Sequence, residues 1–539
     1  MIKHLRQLSA LLALGILSIN ANAQNPAKNW QNKSIEQDSV YGTGSDKAIE
    51  LLKSKGVQST TVIVAVIDNG VCVNHPALKN HIWVNPKEIA GNKADDDHNG
   101  YIDDVNGWDF IGGKDSSVDK DNIELTRLYR ELGKKYATTS NADKLSKKDK
   151  LEYAKYQKVK KAFESKQGAY QKQYDGLKDF MDNIDKIKVV IGKNDFNQED
   201  MDAYKPTDSV MIKTKERLGR NFGMLSSFMK GVTADSIKKQ IKGGLDYLNT
   251  FLLYQYNVNF DPRPTVGDNY ADITQKYYGN NDLNGKTAGH GTHVSGIISG
   301  NRTGVASTQE GIADNVKIMG VRVVPDGDER DKDVANGIRY AVDNGAKVIN
   351  MSFGKGWSYN KKAVDEAVKY AEKHDVLLVH AAGNDNQNND SVDNFPTRRY
   401  ENSHKQAKNW IEVGASDVNG KPGSFSNYGK NSVDLFAPGV KIYSSIPDSG
   451  YAYFNGTSMA SPCVAGVAAL IREYFPKLSA KQVREILMES VTKITALVPK
   501  PAPRGTKTPV LVSYTDLCIS GGTINAYKAV QLALKKSGK

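Results

Sequence analysis

The order of apolar and polar positions divides this chain into two regimes. Five short runs are almost unbroken in apolar residues: TVIVAVID (Thr61 to Asp68), VKIMGVRVV (Val316 to Val324), AKVINMSFG (Ala346 to Gly354), DVLLVHAAGN (Asp375 to Asn384) and WIEVGAS (Trp410 to Ser416). A strand covered on one face alternates apolar with polar, so near-continuous runs of this length predict strands buried on both faces. Between them, DKDVANGIRYAVDNG and YNKKAVDEAVKYAEKH space their apolar residues as helices do. Strand alternating with helix predicts an α/β fold, a parallel sheet with helices on both faces. Functional groups in such sheets gather at the carboxyl ends of strands, which here carry Asp68, Ser352 and Asn384.

The second regime runs from about Lys114 to Asn257. Tyr156, Val159, Phe163, Tyr170, Tyr174, Leu177, Met181 and Ile184 recur three, four or seven apart in a Lys-rich background, as do Ile237, Ile241, Leu245, Leu248 and Leu252. That spacing predicts long amphipathic helices packed into a hairpin or small bundle, with the aromatic stripe as their core. Strand-like sequence lies on both sides, so the segment reads as an all-helical insertion. The expected division is a leader over 1–23, the first part of the sheet domain over 24–113, the helical insertion over 114–257, and the rest of the sheet domain over 258–539.

Composition changes this picture little. The chain has 539 residues, 39% of them hydrophobic and 25% charged, which describes a globular protein long enough for one large domain plus additions. Its net charge of +12 raises the question of a polyanion partner, yet residues 121–250 carry 27 lysines and arginines against 19 acidic residues, an excess of 8. Charges so interspersed describe a solvated helical surface, and no nucleic-acid partner is expected.

The first residues combine basic Lys3 and Arg6, an apolar run from Leu8 to Leu17, and the small residues Ala21 and Ala23 around Asn22. This is the pattern of a cleavable signal peptide, so the protein is expected in the periplasm, on the cell surface or outside the cell. No later run is long enough for a membrane span. Cys72, Cys463 and Cys518 are too few for a disulfide framework, and Cys72 and Cys463 are expected as buried free thiols.

Ser458, in FNGTSMASPCVAGVAALI, stands at the start of an apolar helix. A serine nucleophile needs a base, a group that orients the base, and donors for the oxyanion it creates. His290, in AGHGTHVSGIISG, lies on the first turn of a packed helix and can serve as the base. Asp68 ends a buried strand, where a carboxylate needs a partner such as an imidazole N–H. Asn384 offers a side-chain amide after another strand. An α/β-hydrolase elbow is excluded because Ala460 stands where Gly is required. A metal pair of His290 and His293 lacks the adjacent Glu of a metalloprotease, so His293 reads as a packed residue.

A second site lies in ADDDHNGYIDDVNG. Asp95, Asp97, Asn99, the Tyr101 carbonyl and Asp103 follow the spacing of the first nine positions of an EF-hand-like loop, with Gly100 at the turn. Asn106 stands where the bidentate Glu belongs. A structural calcium ion is the expected cofactor.

Taken together, VIVAVIDNGV, GHGTHVSGIISG, NMSFG, HAAGN and NGTSMASPCVAGVAAL resemble the subtilisin-like serine proteases, the subtilases, over roughly residues 58–113 and 260–530. The order Asp, His, Ser is the known one for that family and is taken from the resemblance. The resemblance implies that Asp68 orients, His290 is general base and acid, Ser458 is the nucleophile and Asn384 an oxyanion donor. It also implies that Ser352, Phe353 and Gly354 pair with an extended peptide, and that with Ala381, Ala382 and Gly383 they line the specificity pocket.

The chain departs from compact subtilases in that Asp68 and His290 lie 222 positions apart, and the insertion accounts for most of the gap. The insertion is expected to cap the cleft or to mediate oligomerisation. Between Gln24 and about Ser59 there is no space for a separate folding propeptide. The reading is an exported serine endopeptidase acting on polypeptides. Its rival is a catalytically silent subtilase homologue that binds proteins through the insertion.

Overall fold

The computed structural model describes residues 25–228, 231–285, 288–302, 309–503, 505–506 and 508–538. The leader-like residues Lys3 to Ala23 lie outside the described residues. The chain forms two compact units, one of Asn25–Glu124 with the chain from Asp261 onward, the other of Leu125–Phe260.

The first unit is built on a nine-stranded sheet. In chain order its strands are β1 (Val62–Asp68), β2 (Gly107–Asp109), β3 (Val316–Arg322), β4 (Val348–Met351), β5 (Leu377–Ala381), β6 (Trp410–Ser416) and β7 (Leu435–Pro438). A separate antiparallel hairpin, β8 (Ile442–Ile446) with β9 (Gly450–Phe454), comes next. Then follow β10 (Thr492–Lys493), a second hairpin of β11 (Val498–Pro499) and β12 (Leu511–Val512), and β13 (Gly522–Thr523). The sheet order is β10-β13-β7-β6-β5-β4-β1-β3-β2, parallel throughout except for β10 on the β13 edge.

Side chains of β1 alternate between two cores. Val64 and Val66 belong to the cluster containing the helix Thr457–Tyr474, while Ala65 and Ile67 join the cluster of the helices Asp331–Asp343 and Lys361–Lys373. Both alternating sets must therefore be apolar, which is why the run is unbroken.

Two of the observed strands, β4 and β5, are about half as long as their apolar runs. AKVINMSFG leaves the sheet after Met351 because the Ser352 hydroxyl and carbonyl are engaged by Ser458. DVLLVHAAGN leaves it after Ala381, where the Ala381 and Ala382 carbonyls accept from the side chains of Asn394, Asn389 and Asn427. The short strands β2 and β7 carry too few residues to have stood out as periodic runs.

Residues 25–54 belong to this unit. Trp30 is buried, donates from Nε1 to the Lys441 carbonyl at 3.1 Å, and shares the core with Ala48, Ile49 and Leu52.

The second unit is helical. Lys147–Ile191 is one helix of 45 residues, started by Ser146, whose hydroxyl accepts from Asp149 N, and ended by Gly192 at φ 70°. At 1.5 Å per residue it spans about 68 Å. Its Leu177, Ile184 and Ile187 pack with Leu218 and Phe222 of Ser209–Phe228 and with Ile237, Ile241 and Leu248 of Ala234–Thr250. Nearer its start, Phe163 stacks on Tyr129 at 4.3 Å, and Tyr170 stacks on Phe251 at 4.5 Å. Leu252 falls in a single π-helical turn, Phe251–Gln255, that follows Ala234–Thr250.

Candidate active site

Sheet topology places the site. After β1 the sheet adds β3 on one side and β4 on the other, so the connections diverge at the carboxyl end of β1. Such a divergence opens a crevice beyond the strand ends. Asp68 ends β1, Ser352 follows β4, and Asn384 stands three residues beyond β5.

Asp68 is buried, and its Oδ1 accepts from Asn69 N at 2.7 Å and from His290 Nδ1 at 2.8 Å. His290 is the second residue of the helix Gly289–Ile298 and keeps 34% of its side chain exposed. This helix can approach because Gly291 has no side chain: a Cβ there would stand 2.1 Å from the Gly70 carbonyl and 3.1 Å from Asp68 Cβ. Burial pushes the imidazolium down, but the charge and hydrogen bond of Asp68 outweigh it, and the His290 pKa lies above the ordinary 6.5. Nδ1 carries the proton given to Asp68, so Nε2 presents its lone pair.

His293, one turn on, has no such partner. It is buried, stacks on Phe454 at 4.3 Å and bonds the Ala452 carbonyl, and burial pushes its pKa down to about 3. It is a packed neutral imidazole.

Ser458 is the second residue of the helix Thr457–Tyr474, with Gly456 at the N-cap. The helix holds Pro462 in its second turn, and a proline gives no N–H to the carbonyl four residues back. That carbonyl belongs to Ser458, and the Ser352 hydroxyl donates to it at 2.9 Å instead. In return the Ser458 hydroxyl donates to the Ser352 carbonyl at 3.1 Å. For a base to take its proton, Oγ must turn from this carbonyl toward the imidazole. The Ser458 N–H lies in the first helical turn, where backbone donors have no partner within the helix.

Asn384 is exposed, and its Oδ1 accepts from Thr457 N at 2.9 Å and from Thr457 Oγ1 at 3.1 Å. With the oxygen fixed on that side, Nδ2 is turned away with both its N–H groups available. Sequence reading missed Thr457, which adjoins Ser458 in the chain but meets Asn384 only in the fold.

The structure also brings Asn394 between the expected substrate walls. A Cβ on Gly354 would lie 2.5 Å from Asn394 Oδ1, and one on Gly383 would lie 3.4 Å from Asn394 Cγ. Its Nδ2 donates to the Ala381 carbonyl at 3.1 Å. Asn394 also lines a cavity of about 420 Å³ with Asp393, Arg398 and Glu412. Nothing in the local sequence marked it, because its neighbours are supplied by two other strands.

In the acidic loop, Glu88, Asp95 and Asp97 bring carboxylate oxygens within 4.8 Å of one another. Asn99 N donates to Asp95 and Asp97, and Gly100 N, at φ 93°, donates to Asp95. Asp103 turns the other way and accepts from Gly91 N and Lys93 N. Tyr101 is buried against Trp108. Glu88 Oε1 accepts from Asp96 N and Asp97 N, while its Oε2 is buried without a hydrogen bond. An orphan carboxylate oxygen beside two others is a donor set for a hard cation. Burial foremost holds the Glu88 carboxyl above its usual range.

The three cysteines are free; Cys463 and Cys518 are buried and Cys72, expected buried, is half-buried. Among the described residues no helix is long and apolar enough to cross a membrane.

With this geometry in view, a family model described as "Subtilase family" matches residues 59–507. The chain belongs to the subtilase family. By class it is a subtilisin-like serine endopeptidase. It is 38% identical over 276 residues to thermitase of Thermoactinomyces vulgaris, covering 49% of this chain and 85% of that one. It is 40% identical over 209 residues to alkaline elastase YaB of Bacillus sp. (strain YaB), covering 38% of this chain and half (50%) of that protein's length. Among solved structures, a cold-adapted subtilisin-like serine proteinase matches with 34% identity and a TM-score of 0.34, over 43% of this chain and 76% of that one. This subtilase differs from a compact one in its unit of Leu125–Phe260.

Proposed function

We propose that this subtilase is an exported, calcium-tied endopeptidase in which Asp68, His290 and Ser458 form the catalytic triad. The reading is carried by the 2.8 Å bond that orients a half-exposed imidazole from a buried carboxylate, on the crevice where Ser458 opens its helix. In the reaction Ser458 Oγ turns to His290 Nε2 and attacks the peptide carbonyl carbon as Nε2 takes its proton. The carbonyl oxygen becomes an oxyanion, for which Ser458 N–H and Asn384 Nδ2 are the donors. Collapse expels the amine, which takes the proton from Nε2 and leaves an acyl-serine. Water then enters with the same base and releases the acid.

The peptide lies along Ser352, Phe353 and Gly354 as an added strand, which supplies affinity through the main chain. Asn394, between Gly354 and Gly383, shortens the adjoining pocket and favours a small side chain before the cleaved bond. Glu88, Asp95 and Asp97 would hold the calcium ion, which adds stability and takes no part in the reaction. Export is read from the leader-like first residues.

The test is labelling of the mature protein by a fluorophosphonate beside Ser458→Ala. Labelling and casein hydrolysis that both vanish in the variant are expected. A folded wild type that neither labels nor hydrolyses would overturn the reading in favour of a silent homologue.

A further inference from the structure

Glu329, Arg330, Asp331, Lys332 and Asp333 are consecutive ionisable residues, and none is more than 3% exposed. Burying such a run is costly unless each charge is paired. The partners fall into two groups.

One group lies where the chain enters and leaves the helical unit Leu125–Phe260. Arg330 donates to both oxygens of Asp121 at 2.7 and 3.0 Å and to Asp261 at 3.2 Å. Asp333 receives Arg263 through two bonds of 2.6 and 2.8 Å, and Lys332 reaches Asp268 at 2.6 Å. The other group is the peptide-binding edge. Lys355, directly after Gly354, is buried and places its ammonium 2.8 Å from Asp331 Oδ1, 2.7 Å from the Glu329 carbonyl and 2.9 Å from Glu124 Oε2. Asp331 Oδ2 also accepts from Ser358 and from Asn360 N, both at 2.6 Å. The Lys355 backbone exchanges two hydrogen bonds with Phe395, beside Asn394.

We propose that Arg330 to Asp333, with the Glu329 carbonyl, form an electrostatic clasp that fixes the edge Ser352 to Gly354 to the segments 121–124 and 261–268 of the same unit, with Lys355 as the positioning residue. The proposal rests on the reading of that edge as the peptide-binding strand. A strand added to an edge gains affinity in proportion to how well that backbone is held before it arrives. The two segments hold Arg330, the buried run holds Lys355, and Lys355 holds the edge. Glu124 and Asp121 are thus specificity-supporting positions outside the triad. Nothing in the sequence joins them to Gly354, because their partners, Lys355 for Glu124 and Arg330 for Asp121, lie more than two hundred positions away.

The test compares two substrates of the full mature chain. A fluorophosphonate reports the triad without using the edge, whereas a tetrapeptide p-nitroanilide uses both. Glu124→Gln keeps shape and removes one carboxylate from Lys355. It should raise KM for the tetrapeptide about fivefold or more, with kcat and the labelling rate within about twofold of wild type. Asp121→Asn acts on the far side of the clasp and should shift KM in the same direction. Lys355→Arg keeps the cation and should lie between wild type and Glu124→Gln, and it carries the test if Glu124→Gln does not fold. Labelling and KM moving together, or a lowered Tm with KM unchanged, would overturn the clasp. An effect in Glu124→Gln with a wild-type Asp121→Asn would reduce it to a local contact of Lys355. Wild type that neither labels nor cleaves would fail the protease reading first, and the clasp with it.

Discussion

Thr457 grips Asn384 twice on one atom: its backbone N–H and its hydroxyl both donate to Asn384 Oδ1, at 2.9 and 3.1 Å. An exposed asparagine amide would otherwise rotate freely. With Oδ1 fixed, Nδ2 is oriented before any substrate arrives, and in the proposed role of Asn384 as oxyanion donor this is where preorganised donors gain their effect. Thr457 Oγ1 also accepts from Gly383 N at 3.1 Å, so the same hydroxyl ties the segment after β5 to the helix that carries Ser458.

Asn384→Ala should therefore lower kcat by about 10² to 10³, the magnitude known for the oxyanion donor of this very family. Thr457→Val removes only the hydroxyl's hold and should cost roughly tenfold in kcat, consistent with one neutral hydrogen bond. Steady-state kinetics on a peptide p-nitroanilide separates the two. A Thr457→Val enzyme as slow as Asn384→Ala would mean that the hydroxyl itself meets the oxyanion.

The pH dependence follows from His290. Asp68 raises its pKa above 6.5 against the opposing effect of burial, and only the neutral ring can accept the serine proton. Activity, read as kcat/KM, should rise with pH through that elevated value. Asp68→Asn should move the rise to lower pH and lower its plateau. For stability the sign is opposite. The native state binds this proton more tightly than the unfolded chain, so the contribution is complete below about pH 6.5 and is lost as pH rises through the native pKa. Thermal melts across this interval on Ser458→Ala, which cannot digest itself, should show that loss.

The carboxylates Glu88, Asp95 and Asp97 predict a stability effect of metal. Chelation should lower Tm by several degrees without changing the fluorophosphonate labelling rate at 25 °C. Glu88→Gln should weaken calcium binding in calorimetry about tenfold or more. Calcium binding undisturbed by that change would remove Glu88 from the ligand set.

Asn394 stands between Gly354 and Gly383. Asn394→Ala should let larger side chains in before the cleaved bond, raising the phenylalanine-to-alanine ratio of kcat/KM about tenfold. An unchanged ratio would place the limit of the pocket elsewhere.

Thiol titration tests the packing around the nucleophile helix. Burial pushes the Cys463 and Cys518 thiols upward, the latter to about 11, whereas Cys72 is half-buried. A thiol disulfide reagent should modify Cys72 alone in the native protein, and all three after unfolding. Rapid native modification of Cys463 would show that the helix Thr457–Tyr474 opens readily.

The sequence by itself determined the central strands of the sheet, because strands covered on both faces are largely apolar, and β1, β3 and β6 stand where the runs of Val, Ile and Ala stood, whereas the short β2 and β7 left no such run. It also pointed to Asp68, His290, Ser458 and Asn384, since each sits at a strand's end or a helix's start, where local pattern is readable. The stripe from Tyr156 to Ile184 likewise announced a long amphipathic helix, while its extent, Lys147–Ile191 between Ser146 and Gly192, came from the structure. Only the tertiary structure decided the rest. Thr457 against Asn384, Asn394 against Gly354, and the run Glu329 to Asp333 between Asp121 and Lys355 are relations between segments far apart in the chain. A spacing rule sees residues that share one helix face or one strand. It carries no information about which charge a neighbouring strand will bring, and burial leaves a charge no choice but to find it.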